Sequence, residues 1–213
     1  MSKLLLAEYF YIVLNRVQYR PSKINKRSTM KKEICVVVDM INGFINEGVL
    51  SDPSINQIVP ETVKVVKSFL DENKDVLSFQ DTHTMSSLEF EFYPPHCLKD
   101  TSESELIPEL KPFESKMIKV EKDTTNGFFA EGFQTYLKNN PELESVTVVG
   151  CCTDICVLQF AQSLKTYTQT IGKRMEIKVV EKAVDTFNTP NHDKQVFHDQ
   201  ALNLMRNAGI CVI

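Results

Sequence analysis

Short runs of adjacent apolar and β-branched residues alternate along the chain with longer stretches whose apolar positions recur every three or four residues. The runs fall at 34–38 (ICVVV), 76–79, 116–120, 146–149 (VTVV), 176–180 and 210–213. Continuous apolar runs of this length predict strands buried on both faces, as in a parallel sheet. Between them, 54–73 places Ile55, Ile58, Val59, Val63, Val66 and Leu70 at helical spacing, after an Asp52-Pro53 start signal. Further helices are predicted over 128–139, from near Ile155 to about Thr168, and over 190–207, the last closed by Gly209. Strand and helix in strict alternation predict an α/β fold: three layers, a mainly parallel six-stranded sheet of buried strands, and helices on both faces. Two segments stand outside the alternation. Residues 81–113 form a long polar and aromatic excursion with prolines at 94, 95, 108 and 112, and loops that long in a compact domain tend to be functional. Residues 1–29 combine an apolar stretch interrupted by Glu8 with a basic one, and a second methionine follows at Met30. They read as an N-terminal extension without a clear cleavage site, and the domain is expected to span 30–213.

Composition narrows the classes. The chain has 213 residues, 42% hydrophobic and 24% charged, with a formal net charge of −4. That balance gives no electrostatic reason for a nucleic-acid partner. No apolar run approaches the roughly 20 residues of a membrane span. The six cysteines (35, 97, 151, 152, 156, 211) fall at predicted strand ends and motif positions instead of being spread over loops, which predicts free thiols and a cytoplasmic location.

The predicted strand ends carry the chemistry. After the run 146–149 come Gly150, two cysteines, and Thr153-Asp154 as cap residues for a helix. This sets Cys156 in a first helical turn at the sheet edge where open α/β sheets bind ligands, and where a helix N-terminus favours a thiolate. A buried structural cysteine is the plain alternative for Cys156 taken alone. Asp39 directly follows the first strand, and Lys122 lies just past the third. Taken singly they are a turn-capping aspartate and a surface lysine. Together with Cys156 they form a proton acceptor, a cation and a nucleophile, each after a separate strand. In the long excursion, Asp81, His83, Glu89 and His96 are hard and borderline donors suited to one open-coordinated divalent cation, Zn²⁺ in preference to Fe²⁺ or Mn²⁺. Histidines bonded merely to loop carbonyls are the plain alternative. His192 and His198 read as surface or helix-packing residues, and Cys35 and Cys211 as core.

The set VVVDMINGF, DTH…PPHC, VEK and VVGCCTDICV resembles the isochorismatase-like cysteine hydrolases, and within them the nicotinamidase (pyrazinamidase) branch. The resemblance spans 32–213. It implies that Asp39, Lys122 and Cys156 are catalytic, and that Asp81, His83, Glu89 and His96 hold a metal. It further implies a cis Cys151–Cys152 bond, an oxyanion hole of the Cys152 and Cys156 N–H groups, and a ring-sandwiching pair, Phe44 and Tyr93. The expected reaction is hydrolysis of nicotinamide, a small heteroaromatic amide, to nicotinate and ammonia through a thioester, a step of NAD salvage. One departure stands out: where relatives commonly carry a tyrosine, this chain has Thr125, with Asn126 beside it as a further substrate-binding candidate. A more polar or wider pocket is expected there. Alternatives are another small-amide hydrolase of the family, a thiol redox or sensor protein using Cys152 and Cys156, and a non-catalytic binding module. No membrane partner is expected, and homo-oligomerisation is left open.

Overall fold

The computed structural model describes residues 33–213, so the expected extension 1–29 and the domain start at Met30 lie outside the described residues. Six strands form one sheet: β1 (Glu33–Val38), β2 (Asp75–Asp81), β3 (Ile118–Lys122), β4 (Ser145–Cys151), β5 (Glu176–Asp185) and β6 (Cys211–Val212). Their order is β3-β2-β1-β4-β5-β6, and every pairing is parallel. The α-helices are α1 (Asn42–Ile45), α2 (Val59–Asp71), α3 (Glu131–Asn139), α4 (Leu158–Thr170) and α5 (Lys194–Asn207).

Side chains alternate across the pleat, so each central strand feeds two cores. Val36, Val38, Leu77, Phe79, Val146 and Val148 face a core closed by Phe133 of α3, Phe160 and Leu164 of α4, and Leu202 and Met205 of α5. Phe79, Phe133 and Phe160 meet edge-on there, with centroids 4.9–5.4 Å apart, the arrangement that aromatic quadrupoles favour. Cys35, Val37, Val76, Val149 and Cys151 face the other core, with Val59 and Val66 of α2. The chain runs outward from β1 through β2 to β3, then returns to place β4 on β1's other side. That reversal opens a crevice beyond the carboxyl ends of β1 and β4, where such folds bind ligands.

Several expected boundaries shift for local reasons. The segment 54–73 divides into a 3₁₀ turn, Pro53–Ile58, and α2, because Pro60 cannot continue a preceding ladder and instead begins a new helix. Helix α5 starts at Lys194, where the Asp193 carboxylate accepts the Val196 N–H at 3.0 Å. Strand β3 starts at Ile118 instead of at 116, since a 3₁₀ turn occupies Lys111–Lys116, and it ends on Lys122 instead of before it. The expectation of six buried strands fails at the edges: β3 exposes Ile118, Lys119 and Glu121, and neither residue of β6 is buried. For the same reason Cys211, expected in the core, is exposed on β6, while Cys35 is fully buried in β1.

Candidate active site

Four strands deliver the predicted residues to one crevice. At the end of β1 the chain turns at once, and Asp39 adopts a left-handed conformation with φ of 51°. Its N–H donates to the Phe79 carbonyl at 3.1 Å, and its own carbonyl accepts the Cys151 thiol at 3.2 Å. These bonds hold a conformation that non-glycine residues adopt at a cost of about 1–3 kcal/mol. Beside it, Gly150 of β4 has φ of 114°, and a Cβ there would stand 2.0 Å from the Val38 carbonyl oxygen. Glycine is what allows β4 to pass this close to β1. Strand β2 ends in Asp81 and β3 in Lys122, paired in register.

Lys122 joins the pieces. Its Nζ lies 2.9 Å from Asp39 Oδ2 and 2.7 Å from Asp81 Oδ1, and donates to the Thr124 carbonyl at 3.1 Å. All three ionisable groups are buried. Burial works against the ammonium, but the two carboxylates outweigh it and hold Lys122 well above its ordinary pKa. Asp81 is likewise penalised by burial, but Lys122 and the two imidazoles beside it hold it well below the usual carboxylate range. Asp39 goes the other way. Burial, with the Asp81 charge adding to it, pushes Asp39 up to about 7 despite the pull of Lys122. Neither Asp39 oxygen receives an aligned hydrogen bond, so the carboxylate is held by charge, with the Cys156 thiol adjacent.

The nucleophile candidate sits in different local structure from that expected. Thr153–Val157 forms a π-helical turn, and regular helix begins only at Leu158. The Cys152 carbonyl accepts from both Ile155 (3.2 Å) and Val157 (3.1 Å), and the Cys151–Cys152 peptide is cis. Burial works against the expected thiolate. Cys156 is 7% exposed, and burial drives its pKa well above the ordinary value, with Lys122 opposing and Asp39 adding to the rise. Burial thus favours the neutral thiol of Cys156, beside the Asp39 carboxylate.

Asp81, His83, Glu89 and His96 converge so that their donor atoms lie within 4.8 Å of one another. The Nε2 atoms of His83 and His96 approach the same Asp81 Oδ2, at 3.1 and 3.2 Å, and Glu89 Oε1 lies 3.9 and 3.8 Å from them. His96 Nδ1 donates to the Pro94 carbonyl at 2.8 Å, which turns the ring's remaining lone pair toward the cluster, the arrangement of a metal-ligating histidine. Burial lowers the His96 pKa, but Asp81, the Pro94 carbonyl and Glu89 together leave it raised. Burial, reinforced by Asp81, raises that of Glu89. A site that draws protons onto its donors in this way fits a cation. Two nitrogens and two carboxylates suit a divalent ion of borderline hardness.

A cavity of about 350 Å³ runs from this cluster to Cys156. Phe44 and Tyr93 line it as expected, together with Cys152, Ile155 and Thr125. Phe44 and Tyr93 flank His96, with ring centroids 5.7 and 6.3 Å away. Asn126 does not line it. Its Oδ1 accepts the Phe128 N–H at 3.1 Å and its amide donates to Ser163 Oγ at 2.9 Å, so it caps the turn Gly127–Phe129 while Thr125 forms the wall. Sequence reasoning missed Phe187, which also lines the cavity. It follows β5 in a stretch without periodicity, and no signal in the chain marked it. His198, expected to pack on a helix, bonds Thr153 Oγ1 at 3.0 Å, and His192 bonds Asp154 Oδ2 at 2.8 Å.

Comparison with known proteins places the fold in a family. The Isochorismatase domain matches residues 33–213. Nicotinamidase 1 of Arabidopsis thaliana is 34% identical over 205 residues, covering 84% of each chain. Among solved structures, nicotinamidase PncA of Bacillus subtilis superposes with a TM-score of 0.72 at 26% identity, over 85% of this chain and 98% of that one. N-carbamoylsarcosine amidase of Thermoplasma acidophilum superposes with a TM-score of 0.70 at 29% identity, over 85% and 95%. With the matched domain spanning every described residue, this chain belongs to the isochorismatase family.

Proposed function

We propose that the protein is a metal-dependent amidohydrolase that converts nicotinamide to nicotinate and ammonia through a thioester on Cys156. The observation that carries this reading is Lys122, whose single ammonium pairs with Asp39 on the nucleophile's side and Asp81 on the four-donor side. The two clusters are therefore one site. The nicotinamidases among the relatives of this chain support the choice of substrate.

Asp39 takes the Sγ proton of Cys156 as the sulfur attacks the amide carbonyl, and Lys122 offsets the negative charge gathered there. The N–H groups of Cys152 and Cys156 receive the oxyanion. Collapse of the adduct breaks the C–N bond, and Asp39 returns its proton to the departing nitrogen, which leaves as ammonia. Asp39 then accepts a proton from water as the water oxygen attacks the thioester. Breaking the C–S bond frees nicotinate, and Cys156 is reprotonated. A divalent cation held by Asp81, His83, Glu89 and His96 supplies, when bound, a Lewis-acid anchor for the pyridine nitrogen. Phe44 and Tyr93 offer flat apolar surfaces to the ring, contacts that contribute about 0.5–1.5 kcal/mol beyond burial.

The test is ammonia release from nicotinamide and from benzamide, which keeps the ring and the amide but lacks the ring nitrogen, each with and without a chelator. Nicotinamide should have the higher kcat/KM, and chelation should erase most of the difference. Equal turnover of benzamide would remove the physical ground for this substrate. The presence of Thr125 on the cavity wall, with an N-carbamoylsarcosine amidase among the structural relatives, favours a non-aromatic small amide as the second reading. An aliphatic amide therefore belongs in the same panel.

The protonation state of Asp39 sets the acid limb of the pH profile. A base held near pH 7 loses its proton vacancy as the pH falls, so kcat/KM should decline below about 7, a value shifted up by burial. A profile flat from about pH 5 to about pH 9 would show that Asp39 is not the base.

A further inference from the structure

We infer that Asp154 and His192 form a positioning pair that ties the turn carrying Cys156 to the aromatic wall of the substrate cavity. The inference builds on the reading of Cys156 as nucleophile. Asp154 stands two residues before Cys156 in the turn Thr153–Val157. Its Oδ2 lies 2.8 Å from His192 Nε2, and His192 Nδ1 lies 3.0 Å from the Phe187 carbonyl oxygen. The imidazole is also sandwiched. Phe187 stacks on one face and Phe197 on the other, both with centroids 3.9 Å away and planes inclined by 11° and 22°. The His192 and Asp154 side chains are only 12% and 11% exposed, so water screens their contact little.

His192 therefore has both nitrogens committed within its plane and both faces covered. A histidine that merely packs would leave one nitrogen to solvent. Here the ring cannot shift without moving either the nucleophile's turn, through Asp154, or the cavity wall, through Phe187. The frame behind it is firm. Asp193 caps α5, Ala201, Leu202 and Met205 of that helix are buried against the sheet, and His198 makes the second bond to the turn, at the fully buried Thr153. The pair thus references the position of the sulfur to the wall against which a substrate ring would lie.

Two substitutions separate the two halves. His192→Gln keeps an N–H donor toward Asp154 but gives up the stack, and His192→Phe keeps the stack but gives up both polar contacts. For His192→Gln, KM should rise about 5- to 10-fold with kcat within about twofold, the signature of lost ground-state binding. For His192→Phe, kcat should fall about 10- to 100-fold with KM little changed, because the nucleophile is misplaced. Hydrogen exchange over 151–158 should quicken in His192→Phe and not in His192→Gln. Unchanged kinetics in both variants would overturn the inference, as would parallel losses of kcat and KM that follow the melting temperature. Should the wild type release no ammonia from nicotinamide, the substrate reading fails, yet the exchange measurement still decides. Unchanged protection of 151–158 in His192→Phe would then refute the pair.

Discussion

Cys156→Ala should abolish amide hydrolysis, with kcat lower by about 10⁴-fold or more, as removal of a nucleophile from a coupled catalytic unit commonly produces. The fold should survive. The substitution removes one small buried sulfur, its neighbours include Val157 and Phe160 of a large core, and cavities of this size cost on the order of 1 kcal/mol. Circular dichroism and the melting temperature would establish that the variant is folded, and ammonia release would establish its activity. The positive counterpart is an acyl group derived from substrate on Cys156, trapped in the wild type by acid quench and found by mass spectrometry. Comparable turnover by the alanine variant would sink the thioester route.

Lys122→Met should lose both activity and stability, for a reason particular to this site. The methionine keeps most of the buried volume but leaves Asp39 and Asp81 facing each other without the ammonium that stands 2.9 and 2.7 Å from them. Removing one partner of a buried ion pair costs about 3–5 kcal/mol. In a domain of this size each kcal/mol shifts the melting temperature by about 2–4 °C, so a fall of about 10 °C is expected in the presence of chelator. The deficit should be largest at alkaline pH. The Asp39 pKa is already raised above its unfolded value, so a protonated Asp39 favours the fold, and that contribution is lost as the pH rises through the folded pKa. Without Lys122 that loss is larger. A melting temperature within about 2 °C of wild type at pH 8 would mean that the lysine does not offset the two charges.

What the sequence made legible follows from what determines each feature. β1 and β4 could be read because burial on both faces forces consecutive apolar residues, and their ends located Asp39 and Cys156. The four-donor cluster could be read because Asp81 and His83 alternate off one strand end, and because few other histidines compete for the role. β3 was misplaced because it is an edge strand, whose exposed positions at Ile118, Lys119 and Glu121 break the apolar run. Asn126 was read as a pocket residue from its neighbourhood alone, whereas its role is set by Ser163 on α4, a contact across 37 residues. His192 failed for the same reason, since its partner Asp154 lies 38 residues away. The pull of burial on the Cys156 thiol could not be read, because a helix terminus is visible in a sequence and the depth of burial is not.

That depth has a chemical consequence outside catalysis. Peroxides and alkylating agents react with thiolates, so a cysteine kept protonated until its substrate arrives stays off the path to sulfenic and sulfinic acids. Burial favours that state for Cys156, while Cys211 is exposed on the edge strand and Cys152 is part-exposed on the cavity wall. A covalent inhibitor of this protein would need an electrophile that enters the cavity as an amide does and draws the proton onto Asp39, since general thiol reactivity would be directed elsewhere.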